Sequence, residues 1–509
     1  MSTFYSAKTR RMQRNKFNLS HERKLSCKMA DLVPIYLQEI IPSDKFSVNS
    51  EIFMRLAPMI SPIMHRVNVT THFFFVPNRI IWDNWKDFIT GGEDGAADPV
   101  FPYINISNAE RAYLSKGSLA DYFGYPIISD TADVSGSHQI NALPFRAYQS
   151  IFNEYYRDQN LQTKVDLATN EDGAVTNAAA LQALRTRNWE KDYYTSCLPN
   201  AQKGDPVGIP VDFNYKDQSD VFDSAGGDAL SGDLNAGGTP SRLNVIGTPA
   251  RIENLEEEGV SVTVEQLRVA VRLQEWLEKN MRAGSRYVES IMAHFGARVP
   301  DYTADRPIYL GGGKQPVNIS TTHSTYSGES ANTHDLPQGN MSGNGISVGN
   351  TNKFSHKFTE HGFVIGIMST LPRTAYQQAE ERVWTKFDKF SYYWPEFSQL
   401  GEQEVKNSEI YKDFNDAVYN DGTFGYQSRY AEYKYQQSKV AGDMHDSLAH
   451  WHMGRIFNGQ QALNEQFVQA DPRKDIFAVT DPDVDNLYVQ VYNNVQALRP
   501  IPKYNVPTL

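Results

Sequence analysis

Three stretches that lie hundreds of residues apart alternate apolar and polar side chains with a period of two. In VNVTTHFFFVP, Val67, Val69, Thr71, Phe73 and Phe75 face one way, while Asn68, Thr70 and His72, with Arg66 before them, face the other. Phe363, Ile365 and Ile367 repeat the pattern in EHGFVIGIMS, and Leu487, Val489 and Val491 repeat it in NLYVQVYNN. Such alternation marks a strand with one buried face. Strands so far apart in the chain pair only through long connections, which suits a Greek-key sandwich built from non-local pairs.

Three consecutive phenylalanines close the first of these strands. Phe74 and Val76 break its polar face, so its far end is expected to be covered on both sides. Pro77-Asn78 supplies turn chemistry. Trp82, Trp85, Phe88 and Ile89 then recur at helical spacing until Gly91-Gly92 stops the run. Rings that stack on single-stranded bases must be exposed. Phe73 and Phe75 belong to the apolar face of a strand, so they read as core, with Trp82 and Trp85 anchoring the helix that follows.

Four helices are expected elsewhere. Residues 142–157 carry Ala147, Tyr148, Ile151, Phe152 and Tyr155 on one stripe. Thr263 with Gln266 forms a capping-box pattern ahead of Leu267, Ala270, Val271, Leu277 and Met281, and Gly284 ends that run. Ser285 opens the next, which closes at Gly296. Thr374 with Gln377 repeats the capping pattern before Val383, Trp384 and Phe387. Residues 200–260 and 311–352 are rich in Gly, Ser, Asn, Asp and Thr and read as long loops, with no fixed-period repeat.

No pattern of catalytic residues survives inspection. Gly345-Ile346-Ser347-Val348-Gly349 matches G-x-S-x-G, but its flanks read as loop, whereas a nucleophile elbow needs a strand before it and a helix after it. GGGKQP, from Gly311 to Pro316, lacks phosphate-loop spacing. His445, His450 and His452, near Asp443 and Asp446, have no thiolate or regular ligand partner, so surface or packed histidines are the reading and no metal or cofactor is expected. Pairs such as Glu402/Glu404 and Glu256/Glu257 are plentiful in an acidic chain, and none is marked as a hydrolase pair. The only cysteines, Cys27 and Cys197, exclude a disulfide framework and suit a reducing compartment. No stretch approaches the ~20 apolar residues of a membrane span.

The charge is divided unevenly. The formal net charge is −11, yet residues 1–30 hold Lys8, Arg10, Arg11, Arg14, Lys16, Arg23, Lys24 and Lys28 against Glu22 alone, +7, which leaves −18 for the rest. Charge alone fits either a tail that meets a polyanion or a solvated terminus that binds nothing.

Segments spread over almost the whole chain resemble one family. FNLSHERKLSCKMADLVPIYLQEIIPSDKF, HFFFVPNRIIWDNWKDFITGG, ALPFRAYQSIFNEYYRDQNL, GSRYVESIMAHFG, YLGGGKQPVNI, FTEHGFVIGI, FGYQSRYAEYKY, WHMGRIF and RPIPKYNVPTL occur in order. They resemble the major capsid protein of Microviridae, in particular its gokushovirus-like branch. Residues 205–260 carry no family motif. The resemblance implies a mainly β protein, an eight-stranded antiparallel viral jelly roll with long loop and helical insertions. A basic N-terminal arm, 1–30, would precede a single capsid domain, 31–509.

It further implies a structural protein, not an enzyme, whose copies form pentamers within a T=1 icosahedral shell of 60 subunits around a circular single-stranded DNA genome. Assembly would take place in the bacterial cytoplasm, without membrane insertion, to give a virion. A small basic DNA-binding protein, a minor pilot protein, a scaffolding protein and a bacterial surface receptor are the partners it implies. Residues 205–260 are expected as a surface projection that meets the host. Arg10, Arg11, Arg14, Lys16, Arg23, Lys24 and Lys28 are the expected DNA contacts. A β-rich carbohydrate-binding protein or glycoside hydrolase, and a non-shell spike, are the alternatives.

Overall fold

The period-two segments become the central strands of two antiparallel sheets. The computed structural model describes residues 14–108, 111–128, 138–205, 207–208, 221–223, 250–252, 263–284, 286–325 and 338–504. In chain order the strands are β1 (Asn15–Asn18), β2 (His21–Cys27), β3 (Val33–Ile40), β4 (Lys45–Leu56), β5 (Val67–Pro77), β6 (Tyr103–Ile106), β7 (His138–Asn141), β8 (Val221–Asp223), β9 (Ala250–Ile252), β10 (Ile308–Pro316), β11 (Asn318–His323), β12 (Met341–Lys357), β13 (Gly362–Pro372), β14 (Glu402–Lys406), β15 (Thr423–Ser428) and β16 (Leu487–Arg499). One sheet runs β1-β16-β4-β12-β11, with β2 also paired to β16; the other runs β10-β5-β13-β3.

Alternation sets what lies between the sheets. Along β4, Phe46, Val48, Ile52, Met54 and Leu56 are buried, while Lys45, Ser47, Glu51 and Arg55 are exposed. Phe73 of β5 packs 5.0 Å from Phe354 of β12, and Phe75 packs 4.8 Å from Phe358, so two of the three phenylalanines join one sheet to the other. Burying such a ring is worth about 1.5–3 kcal/mol. A polar tie crosses the same interior: Ser50 Oγ donates to Asn493 Oδ1, and Asn493 Nδ2 donates to the Ile35 carbonyl.

Phe74 and Val76 point the other way. They meet a layer contributed by residues 103–184, including the helix Leu143–Ile151 and Tyr155, whose ring lies 4.6 Å from Phe74. The centre of this sheet is therefore buried on both faces, and every residue of β13 is buried. Trp82 is fully buried and its Nε1 donates to Asp172; Trp85 is half-buried, with its ring against Trp82.

Two units divide the chain, residues 202–283 and the remainder. The smaller holds the β8–β9 ribbon and the helix Val264–Ala283. That helix carries the reciprocal cap read from its sequence, Thr263 N–H to Gln266 Oε1 and Gln266 N–H to Thr263 Oγ1. This unit encloses the expected projection, 205–260, most of which lies outside the described residues.

Two expectations fail. Residues 311–352 are mostly strand, not loop: β10, β11 and β12 occupy them. Glycine there serves close packing, since a Cβ on Gly345 would meet Leu56 Cδ1 at 2.4 Å. Ser347 is accordingly a buried strand residue, donating to the Pro316 carbonyl and accepting from Gln315, with no elbow around it. The helix expected after Thr374 is absent: the Thr374 hydroxyl donates to Asp192, and only a 3-10 turn, Arg382–Thr385, follows. The start of the helix expected at Ser285 is outside the described residues; its body is Tyr287–Phe295, capped by Gly296 in the left-handed region. Within the basic arm, residues 15–18 and 21–27 are strands of the six-stranded sheet.

Candidate nucleic-acid interface

With the centre of one sheet covered on both sides, the open β surface belongs to the six-stranded sheet. Directly paired residues in an antiparallel ladder share a face, so the register fixes what this surface displays. At one end Lys16, Leu498, Lys45 and Lys357 stand in a row across β1, β16, β4 and β12. Lys353, paired with Asn49, lies two rows further along. Near the other end Lys24, Gln490, Phe53 and Val348 form a row, next to Ser26, Tyr488 and Arg55. Arg55 lies over the Phe53 ring at 5.3 Å.

The surface thus gathers six exposed cations, Lys16, Lys24, Lys45, Arg55, Lys353 and Lys357, against the exposed carboxylates Glu22 and Glu51. This is a basic face on an acidic chain. Like charges opposite one another across strands cost stability. No carboxylate within ion-pair distance of Lys16, Lys45 or Lys357 offsets that cost among the described residues. Beside the cations, an open cleft of about 460 Å³ is lined by Glu51, Phe53, Val348, Asn350, Gln490 and Tyr492. Cations for phosphates and half-exposed rings for bases are the two elements of single-strand binding. A larger cleft of about 900 Å³ sets Arg23, Lys24, Lys28 and Lys116 against Asp31, Asp121, Asp483 and Asp485, so its charge nearly cancels.

The residues singled out in the sequence separate into three groups. Arg10 and Arg11 lie outside the described residues. Arg14, Lys16 and Lys24 are exposed, the last two on the open face. Arg23 pairs with Val491 and faces inward. Its guanidinium donates to the carbonyls of Tyr122 and Phe123 at 2.8 and 3.0 Å, closing the helix Leu119–Phe123, and burial pushes its pKa down. Lys28 is half-buried at the turn beyond β2, near Asp31. Lys45, Arg55, Lys353, Lys357, Phe53, Tyr488 and Tyr492 escaped the sequence reading. The alternation in KFSVNSEIFMRL, whose outward residues begin with Lys45 and end with Arg55, was the signal that pointed to two of them.

Other motifs hold structure. His452 has both ring nitrogens occupied, by the Met444 carbonyl and the Gly454 N–H, and no group of metal-type ligands occurs among the described residues. Cys27 and Cys197 are buried, and the Cys197 thiol donates to the Tyr193 carbonyl. No helix among the described residues is long and apolar enough to cross a membrane.

Known proteins extend these observations along the chain. The sequence model of the capsid protein (F protein) family matches residues 6–509. Capsid protein VP1 of Chlamydia phage 1 is 36% identical, covering 99% of this chain and 97% of its own. Capsid protein VP1 of Bdellovibrio phage phiMH2K is 33% identical over 97% and 95%, and that of Spiroplasma virus 4 is 27% identical over 99% and 97%. The glycoside-hydrolase alternative falls with these matches. The chain is a structural capsid protein, not an enzyme, and belongs to the capsid protein (F protein) family.

Proposed function

We propose that copies of this chain close into a T=1 icosahedral shell of 60 subunits around circular single-stranded DNA, with the open face of the six-stranded sheet turned toward that DNA. The observation that carries the reading is the row Lys16, Lys45 and Lys357, three like charges aligned across a sheet at the expense of its stability. A polyanion removes that repulsion. Lys24 extends the same surface, and the Phe53–Tyr492 cleft offers rings to bases.

The scaffold of this reading is a jelly roll. Its eight strands are β2, β3, β4, β5, β10, β12, β13 and β16. In support, they pair from the outside in: first with last, second with seventh, third with sixth, fourth with fifth. Two nested Greek keys give this order. The residues of unit 202–283 fit the role of a host-facing insertion, because the sheets are complete without them. The shell is assembled from pentamers in the bacterial cytoplasm, with a scaffolding protein, a small basic DNA-binding protein and a pilot protein as partners.

Electron microscopy of the expressed full chain tests the shell, and DNA retention against salt tests the face. Closed particles that lose DNA less steeply with salt after Lys16→Ala, Lys45→Ala and Lys357→Ala together are expected. Solitary molecules at high concentration, or an unaltered salt slope, overturn the reading.

A further inference from the structure

The sheet face leaves unexplained an exposed, aromatic-rich segment of the described residues. Between Arg382 and Leu400 the backbone makes short 3-10 turns and sends its rings outward. Trp384 is 70% exposed, Phe387 92%, Phe390 51%, Tyr392 54%, Tyr393 51% and Trp394 44%. Single exposed apolar residues are ordinary; a contiguous cluster of large ones marks an interaction surface.

Two charged side chains of this loop, Arg382 and Lys386, turn inward as anchors while its rings face out. Arg382 Nη2 donates to the Glu404 carbonyl at 2.6 Å, and its Nη2 lies 3.4 Å from the buried Glu409 carboxylate. Lys386 meets Glu432 at 3.4 Å and lies over the Tyr433 ring at 3.9 Å. Trp394 donates from its backbone to the Tyr430 hydroxyl and from Nε1 to the Lys389 carbonyl. The base is thus pinned to the β14–β15 hairpin while the tip stays bare. A surface held in place before contact loses little entropy on binding.

We infer that this aromatic loop is a subunit–subunit contact, occupied by a second copy of the same chain. The inference rests on the shell-forming reading above and names the surface that does part of the joining. Area supports that occupant. At ~200 Å² for a whole ring, the six exposed fractions sum to on the order of 700 Å², close to the ~800 Å² that each partner contributes to a standard interface. Tyr and Trp are also the residues that anchor such interfaces. Charge argues against DNA as the occupant: the exposed charges of the loop, Asp388, Lys389 and Glu396, sum to a negative value. In a closed icosahedral shell the contact is heterologous around a fivefold or threefold axis and self-complementary across a twofold axis.

The test uses the full chain with Trp384→Ser and Phe387→Ser together, and separately Phe387→Glu. Both positions are largely exposed, so the circular dichroism spectrum and the melting of dissociated subunits should match the wild type. The subunit concentration needed for assembly should rise at least tenfold in light scattering and sedimentation. Hydroxyl-radical labelling gives an independent reading on unmutated protein: Trp384 and Phe387 should be protected in particles and labelled in free subunits. A wild type that stays monomeric at every concentration overturns this contact and the shell reading together. Wild-type particles with an unchanged variant threshold, or with the loop still labelled because a different protein or nothing covers it, overturn the contact alone.

Discussion

Lys45 and Lys357 stand directly opposite each other in the β4–β12 ladder, on the one sheet face left open. Leu498 separates Lys45 from Lys16 on the other side. A sheet selected for stability alone would place opposite charges here, since cross-strand pairs of unlike charge contribute roughly 0.2–1 kcal/mol and like pairs subtract. An anion lying over the pair would remove that repulsion.

Replacing Lys45 and Lys357 by alanine separates these two effects. Urea unfolding of dissociated subunits should give stability unchanged or raised by up to about 0.5 kcal/mol. DNA retention should weaken, with the slope of log affinity against log salt falling by about 0.7 for each phosphate no longer neutralised. A large loss of stability with an unchanged slope would make the pair structural.

Arg23 and Lys24 are neighbours with opposite tasks. Arg23→Ala removes the donors from the Tyr122 and Phe123 carbonyls and should cost about 1.5–3 kcal/mol in denaturant unfolding, because those carbonyls lose hydrogen bonds from a charged group. Lys24→Ala should leave unfolding within about 0.5 kcal/mol of wild type and reduce DNA retention. The reverse pattern would refute the assignment of Arg23 as a helix closure.

Asp31 sets a pH dependence. Burial, with Asp485 nearby, raises its pKa to about 6, against the opposing pull of Lys28 and Lys474. Its folded pKa lies above its unfolded value of ~3.9, so the folded chain holds the extra proton and stability falls as pH rises from about 4 to 6. Asp31→Asn should flatten this part of the profile and stabilise dissociated subunits by about 1–2 kcal/mol above pH 6, with little change at pH 4. Denaturant midpoints across that range decide it; parallel profiles would contradict the burial argument.

Gly366 is packed too closely for any side chain. A Cβ there would lie 2.6 Å from the Phe73 ring and 3.0 Å from Tyr36 Cβ. Gly366→Ala should cost about 1–3 kcal/mol by overpacking. Phe73→Leu in the same chain should recover part of that loss, because residues in contact are non-additive. Simple additivity would mean the clash is relieved elsewhere.

Much of the sandwich core was legible because burial follows local periodicity. Val67, Val69, Phe73 and Phe75 face inward because side chains alternate across a strand, and Phe74 and Val76 announced a second covered face by breaking that alternation. The reciprocal cap at Thr263 and Gln266 was equally local. Thr374 and Gln377 show the limit of such signals: the same pattern failed where Asp192 captured the threonine hydroxyl. Glycine-rich residues 311–352 misled for a related reason, since pairing with β4 and β5 overrode their weak strand preference.

By itself the sequence determined which side chains of the main strands turn inward and that the sheets are made of distant segments, because both follow from the period of hydrophobicity along the chain. Only the tertiary structure decided that Lys16, Lys45 and Lys357 share a row, that Arg23 closes a helix, and that the rings from Trp384 to Trp394 face outward. Those relationships depend on register between segments separated by most of the chain, and hydrophobic period carries no information about register.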